Sequence, residues 1–195
     1  MKAGPPTTDA RTIEPFMIRL VAIFDDMSEG FTRIADHYGF TCRGCADNCC
    51  RTRFHHHTLA EYLYLKQGVE SMPEGDRTEL SERAAMAGRR TADKAPIRVM
   101  CPLNVDGRCT LYNFRPMICR LHGLPHELRK LGHNAAFGPG CGEFDARFGR
   151  QQYQPFDRTP FYIELARLEG DLRKTIGYAG KIKMTVAEMI IDYHL

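Results

Sequence analysis

The sequence has no tryptophan. It also has no apolar run approaching the roughly 18 residues that a membrane-crossing helix needs. Charge of one sign is scarce: 27 basic residues against 24 acidic ones leave +3, too little to mark a specific nucleic-acid binder. The opening residues MKAGPPTTD carry no apolar stretch, so they do not read as an export signal. There is no phosphate-cradling glycine loop, no nucleophile elbow and no metalloprotease motif. No internal repeat is visible. What remains is ordinary for a folded domain: 43% apolar and 26% charged residues. A chain of 195 residues defaults to one domain with enough core to fold without crosslinks. The expected compartment is the cytoplasm, with no membrane partner.

Against this background the sequence holds eight cysteines. In a reducing compartment thiols stay thiols, so they point to metal ligation or redox chemistry before a disulfide framework. Cys42, Cys45, Cys49 and Cys50 fall within nine residues, in a polar Gly/Asn/Arg context that is not a core pattern. A Cys-x2-Cys loop aims two sulfurs inward around one metal or one iron of a cluster. Cys49 and Cys50 are adjacent, so their side chains diverge and the two do different jobs. The second block is Cys101, Cys109, Cys119 and Cys141, with gaps of seven, nine and twenty-one residues. That looseness is tolerable for zinc and common for iron–sulfur clusters. The two-then-three spacing of the first block is the reverse of a radical-SAM signature.

The chain around these blocks reads as mainly helical, in a single domain with a short β-ribbon and irregular metal-binding loops. Residues 1–11 form a loose arm and residues 12–195 the domain, with a cysteine core over 40–142. A first helix follows Thr12, uses Glu14 and Pro15 in its first turn and ends at Gly39. Thr58 and Glu61 form a capping box for a second helix that Gly68 stops. Residues 77–94 are helical with a thin stripe of Leu80, Ala84, Met86 and Ala87, and Pro96 ends them. Asp106-Gly107 is a hairpin turn that brings Cys101 and Cys109 onto one ribbon. Phe137 to Gly142 is too glycine-rich for regular structure and leaves Cys141 on a bent loop. Thr159 and Pro160 start a helix that runs to Gly177, and Thr185 with Glu188 caps a short final one.

Pro116 suits a first helical turn, which puts Cys119 near a helix N-terminus beside Arg120; both features favour a thiolate. Arg115 and Arg120 are candidates to compensate the negative charge of a thiolate-rich centre and to hydrogen-bond its sulfurs. His55, His56 and His57 read mainly as a polar loop before a helix, and His122, His126 and His133 as surface or hydrogen-bonding residues.

The string Cys42-x2-Cys45-x3-Cys49-Cys50, then Cys101-Pro-Leu, then Cys109-x-Leu-Tyr-x2-Arg115-Pro116-x2-Cys119-Arg120, then Cys141, resembles the YkgJ-type cysteine-cluster family. That family is described as a zinc- or iron-chelating domain with eight cysteines. The flagellin lysine N-methylases carry a similar cysteine core. The resemblance spans about residues 40–142. It implies a metal centre held by several of Cys42, Cys45, Cys49, Cys50, Cys101, Cys109, Cys119 and Cys141, with an iron–sulfur cluster of the 4Fe–4S type or zinc as the cofactor. It does not imply methylation, because no methyl-donor pocket is identifiable in the sequence.

Three functional classes follow. The leading one is a metal-binding protein whose cysteines hold an iron–sulfur cluster or zinc. The second is an iron–sulfur-dependent enzyme of methyl- or electron-transfer type. The third is a zinc-stapled interaction module, with the 77–94 helix as the surface for a protein partner.

Overall fold

The computed structural model describes residues 9–42, 49–92, 98–129 and 132–194. It is mainly helical, as expected. Helix α1 (Ala10–Tyr38) starts two residues before Thr12, because Asp9 caps it by accepting the Arg11 N–H at 3.3 Å. Residues 10 and 11 therefore belong to the helix rather than to an arm, and Pro15 lies within α1. Gly39 ends it at φ 65°, and the N–H of Phe40 closes the turn on the Ala35 carbonyl at 2.8 Å.

Helix α2 (Leu59–Glu70) runs through Gly68, which was expected to stop it. Glycine is used there for a different reason: a Cβ at position 68 would collide with the Phe114 ring. Helix α3 (Glu74–Ala92) packs along α7 (Val186–Asp192). Its Leu80, Ala84 and Ala87 are buried and Met86 is exposed. Residues 93–97, including Pro96, lie outside the described residues.

Strands β1 (Asn104–Val105) and β2 (Arg108–Cys109) pair antiparallel around Asp106 and Gly107, whose φ values of 50° and 81° suit the expected tight turn. Next comes α4 (Met117–Leu121), with Pro116 as its N-cap rather than its first residue. A second ribbon was not expected. It pairs β3 (His126–Leu128) with β4 (Ala136–Gly138), so Phe137 and Gly138 are regular after all. Gly138 is required because the His126 ring lies across it. Helix α5 (Gly142–Phe148) follows Cys141. Helix α6 (Thr159–Ile176) has Pro160 in its first turn and ends at Gly177, φ 67°. Thr185 and Glu188 form the expected reciprocal capping box at α7.

One core joins these elements. Leu20, Phe24 and Met27 of α1 meet Leu165, Leu168 and Leu172 of α6, with Leu59 and Leu65 of α2 and Leu121 of α4 in the same cluster. The long helices thus form a scaffold, and the irregular segments between α3 and α5 are draped on it. No described helix is long and apolar enough to cross a membrane.

Candidate metal centre

Cys50, Cys101, Cys109 and Cys119 come from separate segments of the chain. Cys50 belongs to a single 3-10 turn, Cys49–Arg51. The backbone N–H of Cys101 donates to the Cys50 carbonyl at 2.8 Å, stitching the two cysteine blocks together. Cys109 ends the β1–β2 ribbon, and its neighbour Thr110 donates back to the Leu103 carbonyl at 2.8 Å. Cys119 sits in α4, which packs on α1.

Burial dominates the electrostatics of three of these thiols. Burial pushes the Cys101 thiol up to about 12, and Cys50 and Cys109 both act on it in the same direction. Burial also raises Cys109, opposed in part by a backbone N–H at Leu111 and by Arg115, with Cys50 raising it further. Cys119 is held well above the ordinary thiol range, first by burial and then by Cys101, Cys109, Cys50 and the Glu61 carboxyl. The direction at Cys119 is thus opposite to the one that the helix start and Arg120 favour. Burial outweighs a short helix and a neighbouring arginine.

The other cysteines are placed differently. Cys42 is exposed. Cys45 and the side chain of Cys49 lie outside the described residues. Cys141 is the N-cap of α5, where its sulfur accepts the Phe144 N–H at 3.4 Å and its own N–H donates to the Gly123 carbonyl at 2.9 Å.

The two arginines brace the loop that carries Cys119. Arg115 donates from Nε to the Tyr112 carbonyl at 2.9 Å, stacks over the Tyr112 ring at 3.5 Å, and lies close enough to Cys109 to act on its thiol. Arg120 donates from Nε to the Arg115 carbonyl at 2.8 Å and from a terminal nitrogen to the Asn113 carbonyl, while its guanidinium covers the Phe24 ring. Arg120 thus ties the loop to α1.

Two residues that the sequence did not single out for this site position its segments. Glu61, 4% exposed, accepts the Met117 N–H at 2.8 Å and so caps the helix bearing Cys119. The spacing of Thr58 and Glu61 suggested a capping box. Only half of one forms: Thr58 Oγ accepts the Glu61 N–H at 3.2 Å, and its hydroxyl donates to the Glu61 carboxylate at 2.6 Å. The freed N-terminus of α2 is taken by Glu169 of α6, which accepts the N–H groups of Leu59 and Ala60 at 2.7 and 3.0 Å. Arg158, 2% exposed, donates to the carbonyls of Leu121 and Leu124 and fixes the exit from α4. No local pattern in the sequence announces Arg158.

The histidine triplet serves the fold through its backbone. His56 pairs with Met184 in both directions, at 2.7 and 3.1 Å. Burial, then His57 and His55, lowers the His56 imidazole to about 4. The His122 ring meets Phe54 edge-on at 5.3 Å.

The donor set fits a thiophilic centre. Four thiols with no histidine or second carboxylate among the groups acting on them suit zinc or iron–sulfur ligation, not a hard cation. Among the described residues no three Cys, His, Asp or Glu side chains stand together as ligands of one ion. The two surface recesses described, between α1 and α2 and beside Phe161, contain no cysteine.

No family model, curated protein or solved structure matches the chain.

Proposed function

We propose that this is a metal–thiolate protein of the YkgJ type. Its cysteines would hold a 4Fe–4S cluster or zinc, with Cys50, Cys101, Cys109 and Cys119 as the inner set. The observation that carries the reading is the hydrogen bond from the Cys101 N–H to the Cys50 carbonyl, which joins the two cysteine blocks, with burial raising the thiols of Cys101, Cys109 and Cys119. Cys42, Cys45, Cys49 and Cys141 are the further candidate ligands that the sequence supplies. Soft sulfur ligands select these metals, and loading requires the buried thiols to lose their protons. When bound, an iron–sulfur centre supplies one-electron chemistry and zinc supplies a structural staple. The chain's own contribution is to hold the four segments on the α1–α2–α6 scaffold and to keep the sulfurs largely out of water. Arg115 offers positive charge toward Cys109. Reduced thiols of this kind belong to the cytoplasm.

The deciding test is metal and acid-labile sulfide per chain in untagged protein purified without oxygen, together with an absorption spectrum. About four irons and four sulfides with a band near 400 nm establish the cluster. One or two colourless zinc ions establish the staple. Protein that carries neither, and takes up neither when supplied with them, overturns the proposal.

A further inference from the structure

Helix α1 turns one apolar stripe outward. At about 100° per residue, Pro15, Val21 and Ala22 fall within roughly 60° of Ile18 on one helix face, and all four residues are exposed. Ile18 is 66% exposed. The stripe borders a surface recess of about 540 Å³, walled by Arg11, Glu14, Ile18 and Val21 of α1 and by Tyr64 and Gln67 of α2. The same face carries a charge at each end. Arg11 lies seven positions before Ile18 and Asp25 seven positions after it, each within roughly 20° of Ile18 around the helix, and both are exposed.

We infer that this face pairs with the same face of a second copy of the chain, antiparallel and two-fold symmetric about Ile18. In such an interface a residue some positions before Ile18 meets the residue equally far after it in the other copy, and every contact occurs twice. Arg11 then meets Asp25 and Pro15 meets Val21. The two Ile18 side chains meet on the axis, beside the recesses. Opposite charges close both ends of an apolar centre, which makes one helix face complementary to itself. A parallel pairing would set Arg11 against Arg11 and Asp25 against Asp25, so the charges select the antiparallel one. Asp25 also acts on Arg120 of its own chain, so Arg11 is the more selective position to probe. The stripe from Arg11 to Asp25 is about 21 Å long. That length, with Tyr64 and Gln67 added from α2, lies at the small end of specific interfaces. The dimer is accordingly weak, with a dissociation constant on the order of 10–100 µM. No cysteine lines the recess, so the pairing does not depend on what the thiols hold.

The test is sedimentation equilibrium of the full chain as purified, over roughly 5–500 µM. It is run without oxygen and with reductant, so that the exposed Cys42 does not crosslink copies. The mass is expected to rise with concentration toward twice that of the monomer. Arg11→Glu and Asp25→Lys each set like charges against one another twice, and each is expected to weaken association by about fivefold or more. Mixing these two variants restores both opposite-charge pairs in the mixed dimer, which is expected to form about as tightly as the parent. Ile18→Asp is expected to abolish association and to leave the circular dichroism unchanged, because its side chain is exposed. Met86→Asp on α3, at another exposed apolar residue, is expected to leave association within about twofold of the parent. A chain that stays monomeric throughout the range overturns the inference. So does association that survives Ile18→Asp, or a mixture of the two charge variants that associates no better than either alone.

Discussion

The Glu61 carboxylate accepts the backbone N–H of Met117 at 2.8 Å, across 56 positions of sequence. This contact registers α2 against the short helix that carries Cys119. Glu169 does the same between α6 and α2, taking the first two N–H groups of α2. Two carboxylates therefore relay the position of the long helices to the thiol loop.

Removing the relay has an unequal cost. Glu61→Ala leaves the Met117 N–H without its partner and opens a cavity, and should lower stability by about 3 kcal/mol. Glu61→Gln keeps an acceptor for Met117 and should cost about 1 kcal/mol or less. Denaturant titration of the two variants checks this. Equal losses would mean that the carboxylate acts through charge rather than through the cap.

The cysteines should divide by position. Cys50→Ser, Cys101→Ser, Cys109→Ser and Cys119→Ser each remove a member of the coupled set, and each should lower metal content in protein purified without oxygen. Cys141→Ser puts a better acceptor at the N-cap of α5. It should retain metal and melt no lower than the parent. Loss of metal in Cys141→Ser would extend the centre to that loop.

Much of this arrangement was legible in the sequence because it rests on local chemistry. Gly39 and Gly177 end helices through their left-handed φ values, Asp106-Gly107 makes its hairpin, and Thr185 with Glu188 closes its capping box. The failures share a cause, which is long-range contact. Gly68 reads as a stop until Phe114 is seen lying over it. Gly138 reads as irregular until His126 pairs across from it. Thr58 and Glu61 read as a local box until Met117 claims the carboxylate. The thin stripe of residues 77–94 reads as a partly exposed arm until Leu80, Ala84 and Ala87 are seen to be buried. At the candidate site, spacing identified which cysteines belong to blocks. It did not show that the Cys101 N–H bonds the Cys50 carbonyl, or that burial raises the thiols of Cys101, Cys109 and Cys119.

His56 gives the fold a defined response to acid. Its folded-state imidazole sits at about 4, against an ordinary value of 6.5. The unfolded chain takes up that proton first as pH falls. The contribution is therefore complete above about pH 6.5 and is lost progressively down to about pH 4, by at most about 3 kcal/mol. Glu61 works in the opposite sense, since burial raises its carboxyl and protonation relieves it. The two are separated by difference: His56→Leu should melt with a flatter dependence between pH 7 and pH 4 than the parent. Parallel curves for the two proteins would show that His56 is not the sensing group.

Replacing Gly68 by alanine should run against the general rule for helices. In an open helix interior that change stabilises by roughly 0.5–1 kcal/mol. Here the added Cβ meets Phe114, which packs edge-tilted on Tyr64 at 4.9 Å and ends the 3-10 turn before Arg115. The ring has to move, and the loop leading to Cys119 moves with it. Gly68→Ala should therefore destabilise by about 1–3 kcal/mol and reduce metal retention in step. Trimming the obstacle tests the cause. Phe114→Leu alone loses ring packing, but combined with Gly68→Ala it should recover part of the loss, so the double variant is more stable than the sum of the two single effects. Strict additivity, or a stabilised Gly68→Ala protein, would show that α2 and the 112–114 turn are not in the contact described.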